Sequence, residues 1–204
     1  MKIHQAEFII SNSDLSKCPA PELPEYAFIG RSNVGKSSLI NMLTNNKKLA
    51  KISSKPGKTQ LINHFLIDKT WYLVDLPGYG FAKIAKSQRV KWEKFVIQYV
   101  LERENLMTLF VLIDSRIPPQ KIDLSFMEML GENGVPFAMV FTKIDKLSST
   151  KLAKALQSYK NEMLKTWEFM PPVYTTSSVS SHGKSKILNF IAEINDAYQK
   201  KSDI

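Results

Sequence analysis

The run Gly30-Arg31-Ser32-Asn33-Val34-Gly35-Lys36-Ser37 fits the pattern Gly-x-x-x-x-Gly-Lys-Ser/Thr, whose chemistry is the cradling of a polyphosphate. The glycines let the backbone curl so that successive N–H groups point at phosphate oxygens. The positive end of a following helix adds to that field. Lys36 then reaches the β- and γ-phosphates, and the Ser37 hydroxyl is one ligand of Mg²⁺. Average residue usage produces the pattern by chance in roughly one chain in a hundred of this length. A nucleoside triphosphate site is therefore the expectation, with the base left open by this motif.

Other short segments supply what a phosphate loop lacks. Asp75-Leu76-Pro77-Gly78 ends an apolar run; a carboxylate there holds Mg²⁺ through water, and the Gly78 N–H bonds the γ-phosphate. Alone, Asp before Pro-Gly is as often a plain turn. Thr142-Lys143-Ile144-Asp145 follows another apolar run. Asp145 can accept from guanine N1–H and the 2-amino group, while the Lys143 stem lies along the base plane. Adenine offers neither donor, and selection through unsatisfied polar groups reaches ~10⁴. Ser177-Ser178 then ends the last apolar run, where a backbone N–H can meet guanine O6. Between phosphate loop and hairpin, Thr59 can close over the γ-phosphate and give Mg²⁺ a second hydroxyl, which is how such loops act as switches. Residues 79–83, Tyr-Gly-Phe-Ala-Lys, form a second loop that would feel the same phosphate.

These loops need strands and helices to carry them. Runs rich in Val, Ile, Phe and Tyr predict strands over 26–29, 61–67, 71–75, 108–114, 137–141 and 173–176. An extra strand is expected over 6–10. Longer amphipathic stretches predict helices over 36–44, 87–104, 123–132, 149–165 and 184–199. Asp68-Lys69-Thr70 is too short for a crossover helix, so the flanking runs form an antiparallel hairpin. The expected fold is α/β, a Ras-like three-layer P-loop sandwich whose sheet is mostly parallel with one antiparallel edge strand. Ligands of such sheets bind at the carboxyl ends of the strands, where every motif above falls. Residues 1–23, with Pro19 and Pro21 near their end and Pro24 just after it, read as an N-terminal extension to a GTP-binding domain over 24–204.

Composition narrows the setting. The 204 residues are 44% hydrophobic, enough for a sizeable core, and this excludes a largely disordered chain. Cys18 is the only cysteine, so no internal disulfide can form. The most apolar windows fall short of the ~18–20 residues of a membrane span. The N-terminus lacks the apolar core of a secretory signal. A cytoplasmic protein, monomeric and without a membrane span, is expected. Lys and Arg number 28 against 19 Asp and Glu, a net charge of +9, which points to a polyanionic partner. Lys47, Lys48, Lys51, Lys55 and Lys58 cluster in the first switch region, and Lys83, Lys86, Arg89, Lys91 and Lys94 in the second. That placement favours an RNA surface read in the GTP state.

The set GRSNVGKS, PGKTQ, DLPGYG and TKID, in a chain of this length, resembles the YihA/YsxC (EngB) family of bacterial GTPases, within the TrmE-Era-EngA-YihA-Septin-like superfamily. The resemblance runs from Leu23-Pro24 to the final helix. It implies a GTP-binding switch, a slow GTPase of large ribosomal subunit assembly that is needed for normal cell division and septation. Carried over by position, GTP or GDP would contact Gly30, Arg31, Ser32, Asn33, Val34, Gly35, Lys36 and Ser37. Further contacts would come from Gly57, Lys58, Thr59, Gln60 and Leu61, from Asp75, Leu76, Pro77 and Gly78, from Thr142, Lys143, Ile144 and Asp145, and from Thr176, Ser177 and Ser178. Mg²⁺ would sit on Ser37 and Thr59. Asn33 matches the Asn that holds K⁺ against the phosphates in related GTPases, so Lys36, Thr59 and Asn33 form the expected catalytic set. Val179 stands where many GTPases carry Lys.

Position 79, where Ras-type enzymes place a water-orienting Gln, is Tyr. Slow intrinsic turnover follows, and Tyr79→Ala is expected to cost little in hydrolysis. Two competing readings differ in class. One is a nucleotide-regulated binding module at the division site whose hydrolysis is incidental. The other is a kinase or ATPase on the same scaffold, disfavoured by Asp145.

Overall fold

The short apolar runs become seven strands of one sheet in a computed structural model, which describes residues 1–50, 61–79 and 86–202; the side chains of 86–93 and 201–202 fall outside that description. In chain order the elements are β1 (Ala6–Asn12), β2 (Glu25–Gly30), α1 (Lys36–Leu43), β3 (Ile62–Ile67), β4 (Trp71–Asp75), α2 (Lys86–Glu102), β5 (Leu106–Asp114), α3 (Lys121–Glu132), β6 (Phe137–Thr142), α4 (Ser149–Met163), β7 (Val173–Thr175) and α5 (Lys184–Ser202). The sheet order is β1-β3-β4-β2-β5-β6-β7.

Parallel pairing joins β2 to β4 and β5, β5 to β6, and β6 to β7. β3 runs antiparallel to β4 through the turn at Asp68 and Lys69, both at positive φ. β1 pairs antiparallel with β3 on its outer side, so the hairpin's antiparallel strand is itself covered and β1 ends the sheet. The Asp68 carboxylate accepts from the N–H groups of His4 and Gln5 at 2.9 and 2.7 Å, fastening the chain start to that turn.

Because strand side chains alternate in direction, the sheet feeds two cores. Ala27, Ile29, Val74, Val111, Met139 and Phe141 pack with residues of α2, α3 and α4. Tyr26, Phe28, Leu73, Phe110, Leu112 and Val140 pack with α1 and α5 on the other face. Along α2, Val96, Tyr99 and Val100 are buried and Phe95 is half-buried. Helix and strand ends differ from expectation by one to three residues, as terminal turns fray.

At the end of the sheet away from the phosphate loop, Glu25 is fully buried. It accepts from Arg103 at 2.6 and 3.0 Å and from the Tyr99 hydroxyl at 2.6 Å. Arg103 also donates to the Pro19 carbonyl at 2.5 Å. One buried carboxylate thus joins β2, α2 and the Pro-rich connection.

Candidate nucleotide-binding site

The phosphate loop leaves β2 at Gly30 and enters α1 at Lys36. Gly35, the helix N-cap, has φ 105°, a left-handed conformation that glycine adopts without a Cβ penalty. No side chain caps α1, so its leading N–H groups face the loop concavity, the arrangement that suits an anion. Lys36 Nζ forms an ion pair with the Asp75 carboxylate, both largely buried. The loop lysine and the strand-end carboxylate therefore converge at one point.

Close packing, more than turn geometry, explains Gly78. A Cβ there would fall 2.5 Å from the Gly30 carbonyl oxygen, so any side chain would force the two loops apart. The Tyr79 N–H donates to that same carbonyl at 3.2 Å, and the Leu76 N–H to Phe28 at 3.0 Å. The segment after β4 thus lies alongside the start of the phosphate loop.

The segment Thr142 to Asp145 is fastened to the phosphate loop by its own residues. Thr142 Oγ1 donates to the Val34 carbonyl at 2.6 Å. Lys143 Nζ donates to the Asn33 carbonyl at 2.5 Å and to Asp114 Oδ2 at 2.9 Å. Asp114 is held in turn by the Arg116 guanidinium at 2.7 and 2.9 Å. Burial pushes the Asp114 carboxyl up, but Arg116 and Lys143 outweigh it and bring the group down to about 2.

Ser177 is fully buried, and its hydroxyl donates to Asp145 Oδ1 at 2.8 Å. The same oxygen accepts from the Val179 and Ser180 N–H groups at 3.2 and 3.3 Å. The Ser177 bond lowers the Asp145 carboxyl, with Lys146 adding to the effect. The Ser177 N–H is already spent on the His182 carbonyl at 3.2 Å. Ser177 therefore acts through its side chain, and Ser178 is the residue of this pair with an exposed position beside the motif.

The hydroxyl of Ser37 and the carboxylate of Asp75 are hard oxygen donors of the kind Mg²⁺ prefers. Among the described residues no group of three or more His, Cys, Asp or Glu converges. Mg²⁺ here would take its remaining ligands from phosphate and water, its usual habit at nucleotide sites. Gly57, Lys58, Thr59 and Gln60 lie outside the described residues. Leu61 is described and exposed.

The expectation that Tyr79→Ala matters little concerns hydrolysis; the surroundings of Tyr79 add a separate cost to the fold. Its side chain is 5% exposed and its ring packs on Phe126 of α3 at 4.9 Å. Truncating a buried aromatic costs about 3–5 kcal/mol, so Tyr79→Ala is a stability mutation.

Comparison with known proteins agrees with this geometry. Residues 25–143 match the family described as 50S ribosome-binding GTPase. Over 201 residues, 98% of this chain and 100% of its relative, the sequence is 58% identical to the probable GTP-binding protein EngB of Porphyromonas gingivalis. The chain belongs to the EngB family of GTP-binding proteins. It is thereby a P-loop GTPase. A probable EngB of Christiangramia forsetii is 57% identical over 197 residues, 97% of this chain and 100% of the relative. Among solved structures, a probable GTP-binding protein EngB superposes with TM-score 0.62 at 23% identity, covering 85% of this chain and 99% of that one. The G domain of the T. maritima FeoB iron transporter superposes with TM-score 0.53 at 26% identity, covering 84% and 98%.

Four of the five expected contact segments, 30–37, 75–78, 142–145 and 176–178, gather at the carboxyl ends of β2, β4, β6 and β7. Sequence reasoning missed Asp114 and Arg116, although Asp-Ser-Arg directly after a strand was a visible cue. It also missed that Ser177 would reach Asp145 through Oγ.

Proposed function

We propose that the chain is a GTP-operated switch, intrinsically slow in hydrolysis, that acts in assembly of the large ribosomal subunit and through it in normal cell division and septation. What best supports the guanine reading is the tether between base reader and phosphate loop. Asp145 is held by Ser177, and Lys143 by the Asn33 carbonyl, so base and phosphates would be gripped by one connected unit. Asp145 accepts from guanine N1–H and the 2-amino group, and the Ser178 N–H meets O6. ATP would leave the carboxylate unpaired.

On the phosphate side, Lys36 would turn from Asp75 to the β- and γ-phosphates, and the Gly78 N–H would bond the γ-phosphate. The remaining contacts are those expected of Gly30 to Ser37, Gly57 to Leu61, and Leu76 and Pro77. Mg²⁺ on Ser37 and Thr59, with Asp75 acting through water, would neutralise the charge of the transferring phosphoryl. In hydrolysis the water oxygen bonds the γ-phosphorus as the bond to the β–γ bridging oxygen breaks, giving GDP and phosphate. Tyr79 is buried and carries no amide, so position 79 orients no water. That is the physical basis for slow turnover.

The ribosomal part rests on the family description and on the net charge of +9. Lys47, Lys48 and Lys94 are exposed; Lys51, Lys55, Lys58 and Lys83 lie outside the described residues. No helix among the described residues is long and apolar enough to cross a membrane; the proposed setting is the cytoplasm, with the protein acting as a monomer. Titration with GTP and ATP in Mg²⁺ tests the base assignment: GTP should bind and ATP should not. Asp145→Asn should shift the preference to xanthosine triphosphate, whose position 2 carries a carbonyl to which an amide can donate. Retained preference for GTP in that variant would remove Asp145 as the base reader.

A further inference from the structure

Behind the phosphate loop, on the side of α3 and α4, lies a charged group that the nucleotide chemistry above does not use. Asp123, in the first turn of α3, is only 3% exposed. Its Oδ2 accepts from the Tyr159 hydroxyl of α4 at 3.4 Å, while Oδ1 completes no hydrogen bond among the described residues. The Tyr79 hydroxyl also lacks a completed bond. The Tyr79 ring packs on Phe126, one turn along α3 from Asp123, and burial, followed by the Asp123 charge, pushes the phenol well above its ordinary range. Burial pushes the Asp123 carboxyl up, with the charge of Arg31 in the phosphate loop opposing it. A cavity of about 60 Å³, lined in part by Arg31, Asp114, Asp123 and Tyr159, separates loop from helix. A buried carboxylate oxygen and a buried phenol, each left unpaired, are costly unless some state of the protein joins them.

Tyr79 is well placed to report that joining. Its ring is fixed on Phe126 of α3, its N–H is bonded to Gly30, and the residue before it is Gly78. Gly78 directly precedes Tyr79, so anchoring Tyr79 constrains the backbone that carries the Gly78 N–H. We propose that Asp123 is a positioning residue for the γ-phosphate-sensing segment: by holding the Tyr79 hydroxyl it sets the place of the Gly78 N–H, and with it the preference for GTP over GDP. This rests on the nucleotide reading above and adds the device that couples α3 to it. GDP meets the phosphate loop and the base motif but has no γ-phosphate for Gly78. Loosening Tyr79 therefore weakens GTP and leaves GDP alone.

The test is the ratio of GTP to GDP affinity, read with fluorescent nucleotide analogues in Mg²⁺, alongside the melting temperature of each variant. Tyr79→Phe keeps the ring on Phe126 and removes only the hydroxyl. Asp123→Ala removes the carboxylate, and Asp123→Asn keeps an oxygen that can accept from Tyr79. Since a hydrogen bond to a charged group is worth enough to change an equilibrium tenfold or more, Tyr79→Phe and Asp123→Ala should each lower the ratio about three- to tenfold. GDP affinity should be unchanged, and Asp123→Asn should recover part of the ratio. A merely structural Asp123 would lower both affinities together with the melting temperature, and that outcome overturns the proposal. An unchanged ratio in both Tyr79→Phe and Asp123→Ala overturns it as well. Failure of the unsubstituted protein to bind either nucleotide would instead overturn the nucleotide reading itself, before any variant is compared.

Discussion

Replacing Ser177 by Ala removes one oxygen from a fully buried position. That oxygen donates to Asp145 Oδ1 at 2.8 Å and collects the Val179 and Ser180 N–H groups. Without it Asp145 keeps Lys146 Nζ at 3.4 Å as its ion-pair partner but loses the buried bond that orients its carboxylate. A hydrogen bond to a charged group contributes about 1.5–3 kcal/mol. The Asp145 side chain is 20% exposed, so water replaces part of that loss and the lower figure applies. About 1.5 kcal/mol is close to tenfold in Kd. The base is common to GTP and GDP, so both affinities should fall together by about that factor. Inosine diphosphate, lacking the 2-amino group, uses half of what Asp145 offers and should lose less. Isothermal titration of GDP and inosine diphosphate against both proteins measures this directly. A GDP-to-inosine ratio that stays at its original value would refute the positioning role of Ser177.

Three further outcomes are expected. Replacing Lys83, Lys86, Arg89 and Lys91 with Ser should reduce association with ribosomal subunits and flatten its salt dependence while leaving GTP affinity intact; sedimentation across a salt series checks this. K⁺ should accelerate hydrolysis relative to Na⁺ by offsetting phosphate charge, ribosomal subunits should accelerate it further, and Asn33→Ala should abolish the K⁺ effect in a phosphate-release assay. Burial pushes the Glu25 carboxyl up, but Arg103, His64 and Tyr99 outweigh it and bring the group from 4.5 down to about 2. A depressed carboxyl stabilises the fold above its unfolded pKa and ceases to do so as pH falls through the folded value. Stability on the order of 3 kcal/mol should therefore drain away between about pH 4.5 and 2, and Glu25→Gln should flatten that acid limb in denaturant unfolding.

The loops of the site were legible because each follows a run of β-branched and aromatic residues, and an α/β sheet presents its loops at the strands' carboxyl ends. The hairpin was legible from three residues too few for a helix. What stayed hidden depends on contacts between segments distant in sequence. Tyr79, Asp123 and Tyr159 come from three elements, and nothing in their spacing announces that they meet. Asp114 and Arg116 look like an ordinary strand end until Lys143 is seen reaching back to them. Ser177 turns its hydroxyl inward because His182 takes its N–H, a bend that no local pattern records. β1 was foreseen as a strand, but its partner could be known only from the register of Ala6 with Ile67.

The switch reading is tested most directly by sedimenting the protein with purified large ribosomal subunits in the presence of GTP, GDP or a non-hydrolysable GTP analogue. Strong association with the analogue, weaker with GDP and lost in Asp145→Asn, is the predicted result. Association of equal strength in all three nucleotide states, or none with any, would contradict it.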